Sequence, residues 1–232
     1  MNVTARHDQN HAFVLRPDDA RRLWETLEKR VGAVQAKARC ADSIQRTFSS
    51  IDELLKYDNS RARSIRRLSF TARSKNMDAS AEVELGGYLD SLEASAQGDE
   101  EKVIALRNAF GDFFDGIRPW FSPIAKVDFF YILFGVFMLL MLVAQLMAGD
   151  AKRPMDFATA VKSTVFVVAF LGSLVLLIWG LNRLRSRFFP MGTFALGQGE
   201  SRFSVDENVR WVVLVGFLVS TVSSLVVAFL WQ

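Results

Sequence analysis

The spacing of hydrophobic residues changes several times along this chain, and each change predicts an element. Pro17 followed by Asp18 and Asp19 predicts a helix start, because proline fits the first turn and carboxylates there meet the positive end of the helix dipole. Leu23, Leu27, Val31 and Val34 continue one helical face. Beyond Gly32 the period drops to two: Val34, Ala36, Ala38 and Cys40 alternate with Gln35, Lys37 and Arg39, as in a strand with one buried face. Asp42-Ser43 reads as a turn that returns Ile44, Arg46 and Phe48 as a second strand. Ser50 and Glu53 have the capping-box spacing and open a short helix through Tyr57, closed by Asp58-Asn59-Ser60. Strands are predicted over 64–73 and 79–86 with a turn between them, and a fifth from Ser91 to Ala96. Asp99 to Gly116 is the last helix of this part, with Val103, Leu106, Ala109, Phe110, Phe113 and Phe114 on its apolar side. Together these predict an α+β domain over residues 1–125, an antiparallel sheet with helices on one face. The first dozen residues read as a polar, mobile tail.

From Lys126 onward long apolar runs replace the short periods. Residues 129–148, 163–181 and 211–231 contain no charged side chain. At 1.5 Å per residue, about twenty helical residues cross a hydrocarbon core of about 30 Å. The expectation for 126–232 is therefore an all-α membrane region of three transmembrane helices. Trp120, Trp179, Trp211 and Trp231 lie near the ends of these runs, where an interfacial aromatic belt belongs. Arg118 and Lys126 precede the first run, Arg183, Arg185 and Arg187 follow the second, and Arg202 and Arg210 precede the third. The positive-inside bias then puts the N-terminal domain and loop 182–210 in the cytoplasm and the C-terminus outside a bacterial inner membrane. The N-terminal residues contain no apolar core with a cleavage site, so no signal peptide is expected.

Charge adds little to this picture. The 232 residues carry 28 Lys and Arg against 25 Asp and Glu, too small an excess to steer nucleic acid, and nucleic acid is not expected as a partner. Cys40 is the single cysteine, so no intrachain disulfide forms and no oxidising compartment is required. No phosphate-binding glycine loop, GxSxG elbow or HExxH motif occurs. His7 and His11 have helical spacing but no second ligand pair, so neither a metal nor a cofactor is expected, and no catalytic residue is nominated.

Three groups of residues remain as candidates. Arg63, Arg66, Arg67 and Arg73, with Arg61, form a basic cluster that could hold an anionic ligand; Arg61 and Arg63 would share one strand face, and Arg67 and Arg73 likewise. The bland alternative is a solvated sheet face on which these arginines pair with Glu82 and Glu84. Loop 182–210 contains an unusually apolar stretch in which Phe189, Pro190, Phe194, Gly197 and Gly199 suggest a partner-binding β-hairpin, docked on the membrane surface or on the first domain, with Ser204 to Glu207 capping the third span. Gly216, Ser220, Ser224 and Ala228 recur every fourth residue, a small-residue face for helix packing; with Thr221 the two serines are the best residues to line a narrow pore.

The stretches FFPMGTFALGQGESRF, VRWVVLVGFLVS, RTFSSIDELLKYDN and RPWFSPIAKVDF resemble a set of bacterial membrane proteins with a cytoplasmic N-terminal domain and C-terminal transmembrane helices. That resemblance implies the architecture and no activity. The spans hold no mid-membrane ionisable group, which argues against a coupled transporter. The functional expectation is a non-enzymatic inner-membrane protein, in contact with membrane lipid and homo-oligomeric. Its cytoplasmic domain would bind a ligand or cytosolic protein and its assembled spans would alter permeability, a layout suited to a stress or antiphage effector. The rival expectation is an anchor that recruits a cytosolic partner without a pore.

Overall fold

A computed structural model describes residues 2–76, 78–86, 92–148 and 157–230. The chain divides into two compact units, one formed by residues 1–123 with 190–232 and the other by 124–189.

In the first unit, strands β1 (Asn2–Gln9), β3 (Ala33–Cys40), β4 (Gln45–Phe48), β5 (Ile65–Arg73), β6 (Ser80–Leu85) and β7 (Leu92–Asp99) form one antiparallel sheet in the order β1-β7-β6-β5-β3-β4. Register places Phe48, Ala36, Phe70, Val83, Ala94 and His7 in one row across its buried face. Side chains alternate between the two faces of a strand, so this row is covered while its neighbours are open to solvent. The cover is α1 (Pro17–Arg30), α2 (Ile51–Lys56) and α3 (Glu100–Gly116). Ala36, Ala38, Ala72, Ala81, Ala94 and Ala96 are all buried beneath these helices. Their small side chains leave room for large ones from above: Trp24 of α1 meets Phe70 edge-on with 6.3 Å between ring centres, and Phe110, Phe113 and Phe114 of α3 are buried with them.

The α+β reading of the sheet domain holds, with one addition. The N-terminal residues are not a tail: β1 is the sheet's edge strand, and His7 stacks on Phe114 at 5.8 Å. Its inward side chains are small or polar (Val3, Ala5, His7, Gln9), which conceals the alternation. Arg61 and Arg63 are also not on a strand but on a single 3₁₀ turn, Arg61–Arg63.

The segment expected as a hairpin departs further. β2 (Phe13–Leu15) pairs in parallel with β8 (Gly192–Phe194), and the chain then enters α7 (Gln198–Leu230) instead of returning as a second arm. Gly197 turns the chain at φ +51°, and its added Cβ would run into the carbonyls of Tyr57 and Asp58. Ser204 therefore sits inside α7, its hydroxyl donating to the Ser201 carbonyl at 2.9 Å, and caps nothing.

The second unit contains α5 (Phe129–Ala148) and α6 (Phe157–Phe188), preceded by the short turn α4 (Ser122–Ala125) at the unit boundary. α5 and α6 run antiparallel: the Phe129 amide donates to Asn182 Oδ1 at 3.3 Å, and Phe137 approaches Phe170 at 6.2 Å. Asp128 Oδ1 accepts the Phe130 amide at 2.9 Å, capping α5, and Arg185 donates to the Val127 carbonyl. The runs 129–148 and 163–181 lie within α5 and α6, and residues 211–230 of the third lie within α7, Trp231 being outside the described residues. Among the described residues one segment, Val168–Phe188 with 21 residues, is both long and apolar enough to cross a membrane; Phe129–Val143 is apolar but shorter.

Candidate functional site

The arginines of the candidate ligand cluster do not converge. Arg67 and Arg73 both face the open side of the sheet, six residues apart on β5, or about 20 Å at the rise of a strand. Arg67 Nε pairs with Glu84 at 3.1 Å, the cross-strand arrangement expected of a solvated face. Arg66 is exposed at the irregularity where β3 and β5 change register, and Arg63 lies on the 3₁₀ turn, where its carbonyl accepts the Tyr57 hydroxyl at 2.8 Å. The open face is nonetheless divided by charge. Glu84, Glu93 and Asp8 form a row on β6, β7 and β1, with Arg6 bridging Asp8 at 3.1 Å and Glu93 at 3.0 Å. Lys37, Arg39, Arg67 and Arg73 occupy β3 and β5.

Cys40 is buried beneath one edge of the sheet, 3.6 Å from the Tyr57 hydroxyl. Burial, with the nearby thiol adding to it, pushes the Tyr57 phenol up to about 12. Arg46 donates two hydrogen bonds to Asp42, at 2.7 and 3.0 Å, and this pairing holds the carboxyl down at about 2. The Arg46 side chain also lies within reach of the Cys40 thiol. Among the described residues no group of three or more His, Cys, Asp or Glu side chains is placed to hold a metal ion. His11 is buried and bonded to Gln9 and to the Ala12 carbonyl.

Of the apolar loop residues, those from Pro190 onward belong to the sheet domain's unit. Phe194 is buried and edge-on to Phe13 at 5.4 Å; Pro190 is half-buried, and Phe189, half-buried, closes the second unit with its amide on the Arg185 carbonyl. The amides of Phe13, Ala195 and Gln198 donate to the carbonyls of Met191, Leu15 and Asp58, at 2.8 to 2.9 Å. At the centre is Asn59, 1% exposed and at φ +46°. Its Nδ2 donates to the carbonyls of Phe194 and Leu196, at 3.0 and 2.9 Å, while Oδ1 accepts the Ile65 amide at 2.9 Å. An asparagine is suited to this, having both donor and acceptor and tolerating the left-handed region. Gly199 lies against it: an added Cβ would sit 2.5 Å from Asn59 Nδ2. Asn59 lies in a turn signal, but sequence offers nothing to reveal its partners 135 and 137 residues away.

The first turns of α7 continue this docking. Arg202 donates to the Asn59 carbonyl at 2.5 Å, and Phe203 is buried. Arg210, 2% exposed, holds its guanidinium 4.3 Å from the ring centre of Phe121 and 5.2 Å from that of Phe203. Burial pushes its pKa down, with Asp206 and Glu207 opposing. Next to this stack is a cleft of about 390 Å³ lined by Arg16, Asp18, Arg118, Trp120, Phe203 and Glu207, among others. Trp120 is half-exposed and packs against Trp211 at 5.7 Å, at the start of the apolar part of α7.

Along that apolar part the small-residue face is open. Gly216, Ser220, Thr221, Ser224 and Ala228 are exposed, nothing lies within 4 Å of a Cβ added to Gly216, and the Ser224 hydroxyl donates to the Ser220 carbonyl at 2.8 Å. Val212, Val215, Val219, Val222 and Val227 are likewise exposed. Comparison with models of known families, with characterised proteins and with solved structures gives no match for this chain.

Proposed function

We propose that this chain is a non-enzymatic, multi-pass protein of the bacterial inner membrane. Its cytoplasmic sheet domain binds a ligand or a cytosolic protein, and its three spans, 129–148, 163–181 and 211–231, self-associate to alter permeability. The observation that carries this reading is the continuity of α7. One helix of 33 residues begins inside the sheet domain, tied there by Arg202, Phe203 and Arg210, and ends in an exposed apolar stretch. Without a flexible linker between them, a shift of residues 191–203 on the domain turns or translates the apolar end of the same helix. Bare valine surface of this extent is unfavourable in water and favourable in lipid, which supports a bilayer around it. The open face with Gly216, Ser220 and Ser224 supports close approach of a second α7. The charge-divided sheet face supports a polar partner on the cytoplasmic side.

Induced expression in cells loaded with a membrane-potential dye tests the permeability step, with the mass of the detergent-solubilised complex measured alongside. The expected result is a multimer and depolarisation, both abolished by Gly216→Leu with Ser220→Leu. A monomer that leaves the potential intact would leave only the anchor, which recruits a partner and forms no pore.

A further inference from the structure

The cleft beside Trp120 has a composition and a depth that point to a specific ligand. Phe203, Glu207 and Trp211 follow one another at four-residue spacing along α7, so they stand in a line on one face. Trp211 opens the apolar run and pairs with Trp120, which puts the two indoles at the boundary of the hydrocarbon layer, given the reading of α7 as a span on which this inference rests. Glu207 is then one turn, about 6 Å, on the aqueous side of that boundary. The headgroup layer of one leaflet is about 5–8 Å thick. The cleft therefore opens at the depth of lipid headgroups.

Its lining carries both signs of charge. Arg16, whose guanidinium lies 5.8 Å from the Phe203 ring centre, and Arg118 supply guanidinium groups that match a phosphodiester. Asp18 and Glu207 supply carboxylates, the third lining carboxylate, Asp19, being engaged by Arg22 and the Arg16 amide, and the half-exposed Trp120 offers an aromatic face. A purely anionic ligand would meet the carboxylates with repulsion, and a purely cationic one the arginines. A zwitterion satisfies both. A primary ammonium donates hydrogen bonds to carboxylates, whereas a trimethylammonium has no N–H to give. The Arg210 guanidinium packs against both Phe121 and Phe203, the rings that wall the cleft. We propose that this cleft holds the headgroup of a phospholipid bearing a phosphodiester and a primary ammonium, with phosphate on Arg16 and Arg118 and ammonium on Asp18 and Glu207.

The test uses the full chain reconstituted into vesicles of equal parts phosphatidylethanolamine, phosphatidylglycerol and phosphatidylcholine, then re-extracted, with retained lipid identified by native mass spectrometry. Phosphatidylethanolamine should be retained about tenfold over each of the others, as expected when one charge-assisted contact discriminates. Arg118→Ala and Glu207→Gln, both at accessible positions, should each remove the preference, and Arg66→Ala, an exposed arginine away from the cleft, should leave it intact. Equal retention of phosphatidylcholine, preference for phosphatidylglycerol, or a preference indifferent to both cleft variants would overturn the proposal. So would calorimetric binding of free glycerophosphoethanolamine as tight as that of the lipid, which would make this a solute site. Alkaline carbonate extraction separates the two layers of inference. A chain washed from the membrane overturns the span and the headgroup site together, whereas a chain that stays integral but shows no preference overturns the headgroup site alone.

Discussion

Replacing Asn59 by alanine removes three hydrogen bonds at one point of the seam between residues 191–198 and the sheet domain. The Phe194 and Leu196 carbonyls and the Ile65 amide lose their side-chain partner in a place where Asn59 itself is 1% exposed. At about 1 kcal/mol net per bond the loss is about 3 kcal/mol, and more where a group stays dry and unpaired. Alanine at φ +46° adds about 1 kcal/mol, because it keeps the Cβ that crowds the following carbonyl in the left-handed region but lacks the polar side chain by which asparagine offsets that crowding. Two of the bonds tie 191–198 to the sheet domain and the third holds the Asn59 turn on Ile65, so the loss should appear as local opening of the seam. Hydrogen exchange of the full chain in detergent reads this directly. The amides of Ala195 and Gln198, bonded to Leu15 and Asp58, should lose protection by about a hundredfold or more, since each 1.4 kcal/mol is a factor of ten. Amides of β5 beyond Ile65, which itself loses the Asn59 acceptor, should change far less. Asn59→Gly separates the two contributions: it lacks the same hydrogen bonds but accepts the positive φ, so it should recover only the backbone part, about 1 kcal/mol. The reasoning fails if Ala195 and Gln198 keep their protection in Asn59→Ala. It fails equally if glycine restores it fully, for then the hydrogen bonds contribute nothing.

Three further outcomes follow from the same structure. Gly197→Ala should open the same seam, since the added methyl meets two carbonyls at φ +51°; the matching drop in Ala195 protection checks it, and wild-type exchange there would contradict the steric argument. Phe70→Ala should destabilise the sheet domain by about 3–5 kcal/mol by emptying the space under Trp24, measured as a fall in the denaturation midpoint followed by tryptophan fluorescence. Asp42, held at about 2 against an ordinary value of 3.8, binds its proton less readily when folded. Its contribution to stability is therefore present above pH 3.8 and is lost as pH falls toward 2, a dependence that Arg46→Met should abolish; an Asp42 carboxyl titrating near 3.8 by NMR in the unmodified chain would remove the effect.

Much of the sheet domain was legible because its signals are local. Period-two alternation in β3, β5 and β6, and the apolar faces of α1 and α3, follow from residues two to four apart facing the same layer. β1 is not legible in the sequence because an edge strand under one helix can be built with alanine, histidine and glutamine on its inner side. The Gly197-Gln-Gly199 turn was visible as a turn, but whether it leads to a strand or a helix is not encoded in the glycines. Here the chain enters α7 because Gly197 and Gly199 fit closely against Asp58 and Asn59, residues far away in sequence.

By itself, then, the order of side chains determined which stretches alternate, which are amphipathic and which are apolar throughout, since those properties depend only on near neighbours and on transfer from water. Tertiary structure alone decided that Phe13 pairs beside Gly192, that Asn59 bonds to the carbonyls of Phe194 and Leu196, and that Arg210 lies between Phe121 and Phe203. Such pairings join residues whose sequence separation carries no periodic signal, and they exist because buried amides, carbonyls and guanidinium groups must find partners wherever the fold brings them.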